Sequence, residues 1–337
     1  MDVRILPGAS ASGIYVNGQT EGVAFGNGGG SLTSTASLFV GNCLLNSTKN
    51  FSGSIYTSKL YSTDATTLTY PNYNNTRTRF GLPNLPLQPV FLLDVSFGAI
   101  GAYSTRKLSS AYQGPCLDVV RSSDSVSSSI GFTLNGDLDT ETLLSFIGPN
   151  TGYVKTWYDQ SGYNAHATQS VTTYQPIIVS SGTLVTLNNK PSISFSNRNL
   201  LLTSPAPVIS FFTTFRPNTD YGVFLGGQVD WGFFARGGIN LEGFRYTAGN
   251  TYVNGGSTLV TKTYAGTLAA FPLNTVALAT ILNVGGVSSR MGIATLPAYG
   301  QTYNANLTIS EILTYKDDQT ENRTSIESSI NTYYTIF

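Results

Sequence analysis

Residues 156–169 read TWYDQSGYNAHATQ, and the fold depends on how this stretch is read. Trp157 and Tyr158 are adjacent, so in a strand one ring enters the core and the other faces out. Asp159 then opens a turn through Ser161 and Gly162, in which its carboxylate can accept backbone N–H groups as an Asx turn. Arg106 and Arg121 are the expected charge partners, because a bidentate Arg–carboxylate bridge would pin the turn to the strands before it. On this reading Arg106, Arg121, Trp157, Asp159 and Gln160 form a structural motif, and Asp159 is ionised and not catalytic. The chemical reading makes His166, the sole histidine, a general base. However, no nucleophile elbow, Cys/His signature or second imidazole accompanies it, so it reads as a hydrogen-bonded side chain.

Outward from this stretch, alternation dominates. KPSISFS, VISFFTTFRP, WGFFARGG, NTVALATILNV, SRMGIATL and LTISEILTY are short β-branched or aromatic runs separated by Gly, Asn, Ser and Pro. This spacing predicts an all-β sandwich or jelly roll. Helices are few. In GDLDTETLLSFIG, Asp139 caps the first turn, Leu143, Leu144 and Ile147 share a face, and Gly148 stops the helix. In DDQTENRTSIESSINTYYTIF, Asp318 and Glu321 have capping-box spacing. There Ile326, Ile330, Tyr333 and Tyr334 make a stripe that predicts docking of the terminal helix on the sandwich.

The 337-residue chain has room for one large all-β domain and an appendage. Residues 62–90 are rich in Asn, Thr and Pro without clean periodicity, as an extended connector would be. The division expected is a β-rich arm or attachment segment over 1–90 and a sandwich over 91–337. Within the arm, SLFVGN and NFSGSIYTSKLYS read as paired strands, and FSGSIYTSKLYSTD echoes LTISEILTYKDD, either as a repeat or by chance.

Eighteen basic and eighteen acidic side chains cancel. No basic face is available for a phosphate backbone or an anionic membrane, so neither nucleic acid nor a bilayer is an expected partner. No run approaches the roughly 20 apolar residues of a membrane span, and the N-terminus MDVRILPGASASGIYV lacks the apolar core of a secretion signal. Cys43 and Cys116 form no CxxC; they read as buried free thiols, with a bridge between them as the alternative. Five N-x-[ST] sequons begin at Asn46, Asn50, Asn74, Asn306 and Asn322, consistent with an Asn/Ser/Thr-rich composition. NGGG at 27–30 lacks the GK[ST] of a phosphate loop, and no cofactor or metal is expected.

The blocks YSTRKLSSAYQGP, VVRSSD, WYDQSG, Gln175-Pro176 and YKDDQTENRTSIESSINTYYTIF occur in an order that resembles the catalytic domain of arabinofuranosidase B-type enzymes. It resembles still more the related domains of phage and large-virus structural proteins. The resemblance runs from about residue 98 to the end and implies a concanavalin A-like jelly-roll β-sandwich with a few short helices, including a C-terminal one. It also implies, in the enzymes, a Glu nucleophile on a middle strand near a vicinal disulfide and an Asp acid/base in a glycine-rich late loop. Retaining glycosidases place two such carboxyl groups about 5–5.5 Å apart. Here the middle region YGVFLGGQVDWGFFARGGINLEGFRY has no cysteine pair, and Phe233 or Phe234 stands where a carboxylate is wanted. The late loop ATLPAYGQTYNAN has no acid.

From these departures the expectation is a non-enzymatic structural protein on a virion surface: a minor capsid, decoration, fibre or tail subunit. It would be oligomeric and would pack against other virion structural proteins through the arm, with host-surface glycans as a further expected contact. Tyr221, Trp231, Arg236 and Tyr246 are the candidate glycan-binding residues, through ring stacking and hydrogen bonds to sugar hydroxyls. The alternative is a glycoside hydrolase of arabinofuranosidase type acting on wall polysaccharide, with Asp230 or Glu242 as a catalytic carboxylate. Glu311, in an alternating strand, reads as a paired structural acid.

Overall fold

The computed structural model describes residues 2–4, 13–16, 19–20, 90–204, 206–220, 222–227, 234–236, 249–259, 264–284, 290–297 and 304–337. The chain divides into two compact units, residues 1–88 and 89–337. In the first, β1 (Asp2–Arg4), β2 (Gly13–Val16) and β3 (Gln19–Thr20) form an antiparallel sheet. The paired strands expected near residues 38–62, the repeat and Cys43 lie outside the described residues.

The second unit opens with α1 (Leu92–Val95), β4 (Ala99–Ser104), β5 (Leu117–Arg121), β6 (Ser127–Ile130), α2 (Thr140–Ile147), β7 (Gly152–Trp157) and β8 (Ala167–Thr168). It continues through β9 (Ile177–Ser180), β10 (Thr183–Leu184), β11 (Thr186–Leu187), β12 (Lys190–Pro191), β13 (Ile193–Ser196), β14 (Leu200–Thr203) and β15 (Ser210–Pro217). It closes with β16 (Gly222–Gly227), β17 (Phe234–Arg236), β18 (Asn250–Val253), α3 (Tyr264–Ala270), β19 (Ala277–Leu282), β20 (Arg290–Ile293), β21 (Asn306–Tyr315) and α4 (Arg323–Tyr334). The strand pairings of its main sheet are antiparallel, in the order β17-β16-β20-β14-β8-β7-β9-β13-β21-β15-β19-β18. The all-β jelly-roll sandwich expected from the alternating runs is thus present, as one long sheet curled on itself.

β21 organises the curl. Along one edge it pairs with β15. Along the other, its first half pairs with β13 and its second half with β4, so the sheet branches at this strand. Nine of its ten residues are buried, which requires a cover on both faces. Leu307, Ile309 and Ile312 belong to the main core with Trp157, Phe211 and Phe215. Leu313 and Tyr315 belong to a second cluster, with Phe212, Leu278, Ile326, Ile330 and Tyr334. The period of two therefore sends neighbouring phenylalanines of β15 into different cores.

α4 is the cover of that second face. Ile326, Ile330 and Tyr334 are fully buried, as the sequence stripe predicts, and each apolar side chain placed there contributes about 1.5–3 kcal/mol. The expected capping box does not form. The helix begins later, at Arg323 after Asn322, while Asp318 Oδ1 accepts from the backbone and hydroxyl of Thr320 in a preceding turn. α2 follows its sequence signals: Asp139 accepts from Thr142 N at 3.0 Å, and Gly148 ends the helix at φ 59°. Among the described residues no helix is long and apolar enough to cross a membrane.

Between α4 and the sheet sits a buried ion pair. Arg106 donates to Glu311 through Nε (2.8 Å) and Nη2 (2.9 Å), and Ser104 Oγ donates to the same carboxylate at 2.7 Å. The guanidinium lies 5.0 Å from the Tyr333 ring centroid. Burial disfavours its charge, but the Glu311 carboxylate outweighs that and holds the arginine pKa above its ordinary value. Replacing Glu311 by Gln strands a charge in a site where the acid is 1% exposed, and is expected to cost about 3–5 kcal/mol in urea unfolding. The same change at Asp124, whose bridge to Arg121 is open to solvent, is expected to cost far less; equal losses would contradict this ranking.

Candidate functional site

Beyond the end of β7 the backbone stays hydrogen-bonded, first to the residue before β5 and then to β4. Tyr158 N donates to Cys116 O (3.1 Å) and Gln160 N to Ala102 O (2.8 Å). Trp157 is fully buried and meets Tyr103 edge-on at 6.0 Å, while Tyr158 faces outward. Its hydroxyl donates to Asp118 Oδ2 at 2.8 Å.

Asp159 is 1% exposed, and its two oxygens accept four hydrogen bonds. Oδ1 takes Ala102 N (2.8 Å) and Ser161 N (2.9 Å), and Oδ2 takes Ser161 Oγ (2.7 Å) and Ala165 N (3.1 Å). The Asx turn is the one the sequence implies; the charge partner is not. Arg106 is taken by Glu311, which β21 delivers beside Ser104, and Arg121 bridges Asp124 at 2.6 Å. With its oxygens committed to three backbone N–H groups and the Ser161 hydroxyl, Asp159 needs no arginine.

Gln160 extends the latch. Its Oε1 accepts from Leu108 N (2.7 Å), and Nε2 donates to Ser104 O (3.2 Å) and Arg106 O (3.0 Å). The Tyr103 hydroxyl donates to Ala165 O, tying the far side of the turn to β4. Asp159 and Gln160 therefore stitch the segment 102–108 to the turn 159–165.

On the solvent side of this latch lies a groove of about 380 Å³ between the loop 109–115 and the turn 158–166. Tyr112, Gln113, Tyr158, Asn164 and His166 are among its lining. His166 Nδ1 accepts from Asp159 N at 3.1 Å, so the neutral ring carries its proton on Nε2. His166 meets the Tyr158 ring edge-on at 4.8 Å. The sequence singled out His166 for its chemistry, whereas the opposing loop, about fifty residues upstream and without periodicity, entered only as the end of the resembling block YSTRKLSSAYQGP. The Gly114-Pro115 pair was its only local signal of a turn.

No group of three or more His, Cys, Asp or Glu side chains able to hold a metal occurs among the described residues. Cys116 is a buried free thiol whose Sγ donates to Ser104 O at 3.2 Å, and burial pushes its pKa up. Asp230, Glu242, Tyr221, Trp231 and Tyr246 lie outside the described residues. Arg236 ends β17 opposite Gly222.

Comparison with known proteins follows the same segment. The family profile "Alpha-L-arabinofuranosidase B, catalytic" matches residues 96–185, which span β4 to β10 and include the latch. Solved structures of GH54 α-L-arabinofuranosidase match at 15% identity and a TM-score of 0.46, over 69% of this chain and 62% of theirs. One was soaked with a cyclic sulfate inhibitor, and another is complexed with arabinofuranosyl-α-1,2-xylobiose. The chain thus spans less than two thirds of the length of those enzymes. No curated protein matches it. The profile match overturns the expectation of a non-enzymatic virion, capsid or host-attachment protein, because the profile is that of a catalytic domain.

Two outcomes check the latch. Asp159→Ala leaves buried N–H groups unpaired and is expected to lower stability by about 2–4 kcal/mol in urea unfolding; a loss within error of zero would show that the four bonds carry no weight. Cys116 is expected to resist iodoacetamide at pH 8 in the native protein and to react in urea, read site by site by peptide mass spectrometry. Equal labelling in both states would contradict its burial.

Proposed function

We propose that the chain is a glycoside hydrolase of arabinofuranosidase type, acting on arabinofuranosyl side groups of a polysaccharide. The observation that carries this reading is the catalytic-domain profile over residues 96–185, which include the hydrogen bonds of Asp159 and Gln160 to the segment 102–108. Such hydrolysis needs one carboxyl group to protonate the leaving oxygen and another to attack the sugar or activate water. Several described carboxylates are committed elsewhere: Asp159 to the latch, Glu311 to Arg106, and Asp118 to Tyr158 and to Ser129 Oγ at 2.5 Å. The acids proposed for the chemistry are therefore Asp230 and Glu242, in the segment after β16. Tyr221, Trp231, Arg236 and Tyr246, from the same part of the chain, are proposed to contact the glycan.

The test is release of 4-nitrophenol from 4-nitrophenyl α-L-arabinofuranoside. The wild type is expected to turn the substrate over. Asp230→Asn or Glu242→Gln is expected to lower kcat by about 10²–10⁴-fold with little change in stability. A wild type without release on this substrate and on arabinofuranosyl-xylobiose would overturn the reading. Full activity in both variants would remove these two residues from it.

A further inference from the structure

The groove between the loop 109–115 and the turn 158–166 has a chemistry of its own. Among the described residues no permanently charged side chain lines it: its polar groups are the hydroxyls of Ser109, Tyr112, Tyr158 and Ser161, the amides of Gln113, Gln160 and Asn164, and the His166 imidazole. Its two aromatic walls are held in place. Tyr112 donates its hydroxyl to Pro115 O at 2.8 Å, and Tyr158 donates its own to Asp118. Burial pushes both phenols up, Tyr158 to about 12, so they stay neutral across the physiological range.

The opposite wall is equally fixed. Gly162 at φ 94° and Asn164 at φ 58° shape a turn whose interior is filled by the Asp159 hydrogen bonds. His166, locked through Nδ1, offers one donor, Nε2–H. An ionic ligand would find no countercharge here, and a purely apolar one would leave several polar groups desolvated and unpaired. Aromatic faces among neutral donors and acceptors suit a polyol ring, which has apolar C–H faces and a rim of hydroxyls.

We propose that this groove binds a neutral oligosaccharide, with the rings of Tyr112 and Tyr158 against sugar faces and His166 Nε2–H and the Asn164 amide on sugar hydroxyls. Because no carboxylate lines it among the described residues, the groove holds a glycan without cleaving it. It goes beyond the hydrolase reading and does not depend on it.

Binding is measured by calorimetry and saturation-transfer NMR, with xylohexaose, arabinohexaose and cellohexaose at millimolar concentration as probes. The full chain is used, both as wild type and carrying Asp230→Asn with Glu242→Gln so that binding is read without turnover. Both proteins are expected to bind at least one probe. Asn164→Gly keeps the left-handed turn and removes the amide, and is expected to weaken binding about fivefold; Tyr112→Ala removes a wall and is expected to weaken it about tenfold. Thermal unfolding confirms that each variant folds, and Asn164→Gly decides alone if Tyr112→Ala does not. Absence of binding to all three probes, or unchanged affinity in the folded variants, overturns the groove. Binding in a wild type that releases no arabinose removes only the hydrolase reading.

Discussion

One buried carboxylate sets the constraint on which this part of the fold depends. Asp159 lies where β7 has run out and the chain must reverse toward β8, and backbone donors left bare there would each cost about 1–3 kcal/mol. Its two oxygens satisfy three of them, from Ala102, Ser161 and Ala165, across sequence distances of up to 57 residues. Gln160 performs the same service for the next stretch, Ser104 to Leu108. β4 is thereby fixed on two sides, by the latch and by β21, and β4 in turn leads into Arg106. The ion pair with Glu311 and the docking of α4 follow from that placement.

This arrangement explains how a chain with few charges uses them. Asp159 and Glu311 meet donors from distant segments of the chain, so each joins two parts of the fold rather than decorating a surface. Ion pairs with exposed partners, such as Arg121 with Asp124, lie within one turn and join nothing distant. A carboxylate committed in this way is poorly placed to take part in catalysis. The latch and the chemistry proposed for Asp230 and Glu242 therefore belong to different segments of the chain.

Much of the architecture was legible because it rests on local periodicity. The alternation in VISFFTTFRP and LTISEILTY foretold β15 and β21, and the spacing of Ile326, Ile330 and Tyr334 foretold the buried face of α4. The Asx turn at Asp159 was equally legible, since a short carboxylate two residues before a Ser-Gly pair has few other uses. Its long-range partners were not. Nothing local shows that Ala102 N would arrive at Oδ1, or that Glu311 would reach Arg106 first; those pairings depend on the register of β4 against β21. The start of α4 was misread because Asp318 spends its side chain on Thr320, a competing turn with the same sequence signature. The groove escaped notice because its walls are loops with no period. The expectation of a virion protein weighed the likeness to viral domains, the neutral surface and the missing acids at two positions, whereas the profile match to a catalytic domain lies in the segment before those positions.

The central claim is that Asp159 and Gln160 are structural fasteners whose hydrogen bonds open only when the domain does. Native-state hydrogen exchange tests this directly at three amides, those of Ala102, Ala165 and Leu108. The account expects all three to exchange only through global unfolding, with opening free energies that match one another and the stability from urea unfolding. Exchange of these amides as fast as in the exposed loop around Leu134 would contradict it, and would return Asp159 to the residues available for catalysis.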